Sequence, residues 1–114
     1  MELHGKQLNS GVIFILVRNS GANVYGFDIR PDNAFIEKTR IPYGWYELPG
    51  DVTTFFITND NPIEGGKEKI FRLKVASDSS SLLFYWIAKD EEGIMLDSGT
   101  LEIKNKYAGF QTKT

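Results

Sequence analysis

"NDNPIEGGKEKIFRLKV", Asn59 to Val75, holds the one step that looks chemical, Gly65-Gly66-Lys67, and the strand that decides the fold. After the glycines, Lys69, Phe71, Leu73 and Val75 fall on one face, and Glu68, Ile70, Arg72 and Lys74 on the other. Period two is the side-chain period of a strand, here half-buried and wet on most of one side. A Gly-rich loop ending in Lys cradles phosphate when it reads G-x-x-x-x-G-K-[ST] and opens a helix. Three of those requirements fail. Position 61 is Asn61 instead of Gly, Glu68 follows Lys67 where Ser or Thr is needed, and the next element is a strand with no dipole to offer. The stretch reads as a tight loop that delivers a strand. Pro62 fixes its approach, Ile63 plugs the edge of the core, and the glycines allow a sharp bend.

The same period extends along the chain, and no window longer than about 12 residues keeps a capped helical stripe. Val12 to Arg18 (V-I-F-I-L-V-R) is apolar on both faces, as in a central strand. "NSGAN" (19–23) is a turn in which Gly21 is free to take positive φ. Asn23 to Ile29 then alternates, so the two strands are expected to form a hairpin. Phe35 to Ile41 and Val52 to Thr58 are further strands, separated by turn signals at Pro42-Tyr43-Gly44 and Pro49-Gly50-Asp51. Ser81 to Lys89 places Leu82, Phe84, Trp86 and Ala88 on one face and Leu83, Tyr85 and Ile87 on the other. Asp90-Glu91-Glu92-Gly93 turns it back, with Gly93 in a left-handed position, into Ile94 to Lys104, where Gly99 suggests a bulge. Seven or eight strands with no repeat indicate an all-β, antiparallel β-sandwich; spacing alone leaves a closed barrel open.

The chain has 114 residues, the size of one domain spanning 1–114, with residues 1–10 and 105–114 read as flexible ends. The absence of cysteine excludes disulfides, thiolate metal sites and a cysteine nucleophile. Thirteen basic against fifteen acidic residues give a net charge of −2 and no basic stripe along the sequence, so nucleic acid is not an expected partner. The longest apolar run, "GVIFILV", is far short of the ~20 residues of a membrane span. "MELHGKQLNS" lacks the layout of a signal peptide. For an exported protein, the signal or anchor is expected outside these residues.

Three segments carry a resemblance. "VIFILVRNSGANVYGFDI" resembles the opening of cell-adhesion-related (CARDB-like) Ig-like modules of prokaryotic surface proteins. "NPIEGGKEKIFRLKV" is similar to their later Gly-Gly-to-strand segment, and "YWIAKDEEGIMLDSGTLEI" to the closing hairpin of extracytoplasmic Ig-like and fibronectin-III-like domains. The resemblance covers residues 11–104 in order. It departs from the antibody pattern in having no cysteine pair. It implies an Ig-like sandwich and a life at the cell surface or envelope, and it brings no catalytic residues.

No catalytic, cofactor or metal set emerges from the residues. His4 is the single histidine and lies at the chain start, without the partners a base or a metal site needs. Asn59, Asp60, Asn61 and Glu64 lack calcium-loop spacing, and Asp90, Glu91, Glu92 and Asp97 read as a solvated hairpin tip. Tyr43, Trp45 and Tyr46 would stack on sugar rings if Trp45 and a neighbouring Tyr were exposed and coplanar. The favoured reading has Trp45 capping the core with Tyr46 or Tyr43 at the rim. The expected function is non-catalytic recognition, adhesion or spacing, with another surface protein, or a second copy through edge-strand pairing, as partner. The alternatives are a carbohydrate-binding module and an archaellum- or pilus-associated stator that binds the surface layer. Candidate surface residues are Tyr43, Trp45, Tyr46, Arg72 and Lys74.

Overall fold

The computed structural model describes residues 1–106, which form nine strands: β1 (Glu2–Asn9), β2 (Val12–Arg18), β3 (Gly26–Pro31), β4 (Phe35–Arg40), β5 (Trp45–Pro49), β6 (Thr54–Thr58), β7 (Glu68–Ala76), β8 (Ser81–Lys89) and β9 (Met95–Lys104). The tail reading falls mostly outside the described residues, on 107–114. All pairings are antiparallel, in two sheets ordered β1-β2-β7-β4 and β5-β6-β3-β8-β9. The sheets stack face to face as a sandwich. Alternate residues of each strand meet between them: Ile13, Ile15 and Val17 of β2, Phe71, Leu73 and Val75 of β7, Phe27 and Ile29 of β3, and Leu82, Phe84, Trp86 and Ala88 of β8. Phe71 is central, in ring contact with Phe27, Phe56 and Trp45 at centroid distances of 5.1, 5.2 and 5.3 Å.

The strand count exceeds the expected seven or eight because β1 and β5 hide their period. On the inner row of β1 only Leu3 is apolar. Gly5 stands where an added Cβ would lie 2.3 Å from Ile103 Cδ1, and Gln7 donates to Asn105 Oδ1 at 3.0 Å. Close packing on β9 thus replaces hydrophobic alternation. β5 directs Trp45 inward and exposes the rest of its residues, so its sequence reads as turn.

β2 and β3 do not form the expected hairpin. They lie in different sheets, and the chain between them crosses the sandwich. Asn19, buried, holds the crossing. Its Nδ2 donates to the carbonyls of Ala22 and Ile63, each at 2.7 Å, and its Oδ1 accepts from Gly21 N at 3.1 Å. Its backbone bonds Lys67 O and Gly66 N. The Gly-Gly step therefore packs against the crossover. A Cβ on Gly65 would stand 2.6 Å from Gly21 O, and Gly66 has φ +82°. Gly21 itself is not among the positive-φ glycines; Gly93 is. Ile63 is fully buried and bridges to Val24.

Gly99 makes no bulge. The β8–β9 register runs straight through Trp86↔Gly99 and shifts between Ala88 and Lys89. Gly99 is small because the indole covers it: an added Cβ would be 2.8 Å from Trp86 Cζ2.

Candidate docking face

β5, β6, β3 and β8 turn their second row of side chains outward. Direct pairing aligns Tyr46 with Ile57, Gly26, Lys89 and Met95, and the next row aligns Leu48 with Phe55, Asp28 and Ile87. Tyr46, Leu48 and Met95 are 56, 49 and 60% exposed, while Phe55, Ile57, Tyr85 and Ile87 are half-buried among their neighbours. Singly exposed apolar residues are ordinary; a contiguous set on one sheet face is not.

A charged pair stands in the middle of this surface. Asp28 is only 5% exposed, and its Oδ2 lies 2.5 Å from Lys89 Nζ. The ammonium also sits 5.4 Å from the Phe55 ring centroid, and the Arg30 guanidinium lies 4.6 Å over Tyr85. Gly26, without a side chain, leaves the floor low beside Lys89. The result is an open depression of about 290 Å³ whose lining includes Leu48, Phe55, Ile57, Asp28 and Lys89. It lies at the bottom of the ~300–1,000 Å³ range of small-molecule sites and is not enclosed. Aromatic side chains and Met are enriched at the centre of protein interfaces and Lys and Asp are depleted there; the Asp28 carboxylate and Lys89 ammonium fit such a surface because they already neutralise each other.

The residues expected from sequence to form one surface are dispersed. Tyr46 belongs to this face. Tyr43 stands in the preceding turn, 94% exposed. Trp45 points inward, 5% exposed, with its ring perpendicular to Phe71 and its Nε1 donating to Asn61 O at 2.9 Å. The stacking platform that the sugar reading requires is therefore not formed, since strand alternation sends Trp45 and Tyr46 to opposite sides. Arg72 and Lys74 lie on the far side of the sandwich, on the outer row of β7. Asp28, Lys89, Leu48 and Met95 were not singled out from sequence. Their signal was the second apolar row of β8, Leu83, Tyr85 and Ile87, which a strand facing only water would not carry.

The other candidate groups have structural work. Asp90 Oδ1 accepts from Glu92 N and Ile94 N, each at 2.9 Å, and so closes its own turn. Asn61 Nδ2 donates to Tyr43 O at 2.6 Å and ties the two loops together. His4 is exposed on β1 beside Glu2, 3.2 Å away. Among the described residues no group of three or more His, Asp or Glu side chains is placed to hold a metal ion, and no helix is long and apolar enough to cross a membrane.

No family model and no curated protein matches the chain in sequence. Its likeness is to solved structures. A cohesin module from a Clostridium perfringens family 33 glycoside hydrolase aligns over 90% of this chain and 95% of its own, with a TM-score of 0.56 and 10% identity. A Nocardia farcinica protein with an immunoglobulin-like fold aligns over 90% and 97%, with a TM-score of 0.61 and 12% identity. A non-cellulosomal cohesin from the archaeon Archaeoglobus fulgidus aligns over 90% and 87%, with a TM-score of 0.50 and 14% identity. At such identities the likeness is one of fold. It supports an Ig-like β-sandwich and carries nothing specific to cell-adhesion-related or fibronectin-III modules.

Proposed function

We propose that this chain is a non-catalytic recognition module that docks a folded protein partner on the outer face of its five-stranded sheet, at the cell surface or envelope. The observation that carries the reading is the contiguous apolar and aromatic surface of Tyr46, Leu48, Phe55, Ile57, Tyr85, Ile87 and Met95 around the Asp28–Lys89 pair. A surface carried on hydrogen-bonded strands is preorganised and loses little conformational entropy on docking. The fold likeness agrees with a modular role, since the Clostridium perfringens cohesin module is a part of a glycoside hydrolase. Placement outside the cell rests on the resemblance of the strand motifs to those of surface modules.

The test compares wild type with Tyr46→Ala/Leu48→Asp as baits on envelope extract, followed by titration of the partner that only wild type retains. The expected result is loss of at least about tenfold in affinity, the scale of one or two interface anchors. Thermal stability should be unchanged, because both residues are exposed. Equal retention by the variant, or equal loss on substituting the opposite face, overturns the assignment.

A further inference from the structure

The outer face of the four-stranded sheet carries charge where the other carries rings. On β4 and β7, Lys38 stands directly opposite Lys74, and Arg40 directly opposite Arg72. The second row continues through Phe14 of β2 to Lys6 of β1. Among the described residues none of these five cations is in an ion pair. The acids at the far end of the face, Glu2 and Glu68, are engaged with His4 and Arg18. Glu37 stands at the β4 bulge, between Ile36 and Lys38. Like charges in directly opposed strand positions repel and cost stability.

Protection of a sheet edge accounts for part of this. β4 is an edge strand, and charge and a bulge on an edge discourage pairing with another chain. Arg72 and Lys74, however, stand on the interior strand β7, where there is no edge to protect, and repel the cations of β4. Solubility alone would be served by mixed signs. A chain of net charge −2 instead gathers five of its thirteen Lys and Arg residues here. The Phe14 ring lies between Arg72, 5.4 Å from its centroid, and Lys6, while Val12 flanks Lys74 and the exposed Ile70 stands one row beyond Arg72. Val12, Lys38, Thr39, Arg40, Arg72 and Lys74 line a shallow groove of about 230 Å³.

We propose that this face is a second docking surface, and that its occupant is an extended, acidic polypeptide segment of a partner protein. Lys38 and Arg40, like Arg72 and Lys74, are two residues apart on a strand. Alternate side chains of an extended peptide have the same spacing, so a run with Glu or Asp at every second position places carboxylates over the cations in register. The guanidinium groups bind carboxylates through paired hydrogen bonds. Phe14 among the cations, and Val12 and Ile70 beside them, offer dry contacts to the apolar parts of a polypeptide. The surface is on the opposite side of the sandwich from the proposed apolar docking face, so the two partners do not compete.

The test is fluorescence anisotropy with a labelled peptide of alternating Glu and Leu, beside the same peptide with Gln for Glu, a heparin oligosaccharide, and phosphatidylglycerol vesicles. The Glu peptide should bind, and weaken at least about tenfold between ~0.05 M and ~0.5 M salt as charges are screened. Arg40→Glu/Arg72→Glu should weaken it at least about tenfold, and the milder Lys38→Gln/Lys74→Gln about threefold, on the scale of exposed ion pairs. The second variant removes repulsion and keeps the fold, so it decides the matter if the first is unstable. Tyr46→Ala/Leu48→Asp should leave the binding intact. No binding of the Glu peptide, equal binding of the Gln peptide, or indifference to the variants overturns the proposal. So does binding confined to heparin or to vesicles.

Discussion

Removing the Lys89 ammonium should destabilise the protein more than removing the whole Asp28–Lys89 pair. Asp28 is 5% exposed and its carboxylate has Lys89 Nζ, 2.5 Å away, as its ion-pair partner. Lys89→Met keeps an aliphatic stem over Gly26 and leaves that carboxylate buried and uncompensated. Breaking one partner of a dry ion pair costs ~3–5 kcal/mol. Here the Lys89 side chain is 29% exposed, so water relieves part of the penalty and about 2 kcal/mol is the expected loss. The double variant Asp28→Asn/Lys89→Met carries no unpaired charge and should return to within ~1 kcal/mol of wild type. Urea unfolding followed by tryptophan fluorescence reads this directly, because Trp45 and Trp86 are both buried and report loss of the core. The pattern of a costly single and a nearly neutral double is the signature. If Lys89→Met alone proves neutral, the carboxylate is solvated, and the picture of a desolvated ion pair at the centre of the docking face is wrong.

Other substitutions probe the packing that the topology demands. Gly99→Ala should cost ~1–3 kcal/mol by overpacking, since the new Cβ meets the rigid indole of Trp86 at 2.8 Å, whereas Gly66→Ala has open space and should lose only the ~1 kcal/mol of a left-handed backbone. Asn19→Ala should cost ~1–3 kcal/mol by leaving the Ala22 and Ile63 carbonyls short of a donor, and hydrogen exchange should show the loss concentrated at the crossover and the 59–67 loop. The Met1 ammonium, and then the Ser98 amide, hold the Asp97 carboxyl below the usual aspartate range. A depressed folded value means the contribution is complete above about pH 4 and disappears as pH falls through that lower value. The difference in Tm between wild type and Asp97→Asn should therefore close on acidification.

Where each strand buries one row of side chains and wets the other, the sequence was a sufficient guide. β7 and β8 are the plain cases, since Phe71, Leu73 and Val75, and Leu82, Phe84, Trp86 and Ala88, occupy the core as their alternation requires. β1 and β5 escaped because their inner rows are filled by something other than alternating hydrophobes: a glycine under Ile103, a glutamine bonded to Asn105, and a single Trp. The β2–β3 connection is not legible locally for a different reason. A short Asn-Ser-Gly turn between two alternating strands is locally equivalent in a hairpin and in a crossover. What separates them is Asn19 reaching Ile63, forty-four residues away, and no local pattern encodes a partner at that distance.

The same limit governs the docking faces. Alternation tells which side chains share a side of one strand, but which strands lie beside one another is a property of the topology. Tyr46 and Arg72 look alike as exposed, adhesive residues in the sequence, yet pairing puts Tyr46 beside Ile57 and Arg72 beside Arg40, on opposite sides of the sandwich. Neither apolar nor basic character is visible as a patch until β5-β6-β3-β8 and β1-β2-β7-β4 are assembled. The net charge of −2 conceals the basic face entirely, because acids on the turns and on the hairpin tip cancel it in the sum. The whole-chain sum therefore does not describe this face. The relevant quantity is the charge within a Debye length of one sheet face. There the five cations Lys6, Lys38, Arg40, Arg72 and Lys74 stand outside any ion pair among the described residues, while Glu2 and Glu68 are engaged with His4 and Arg18.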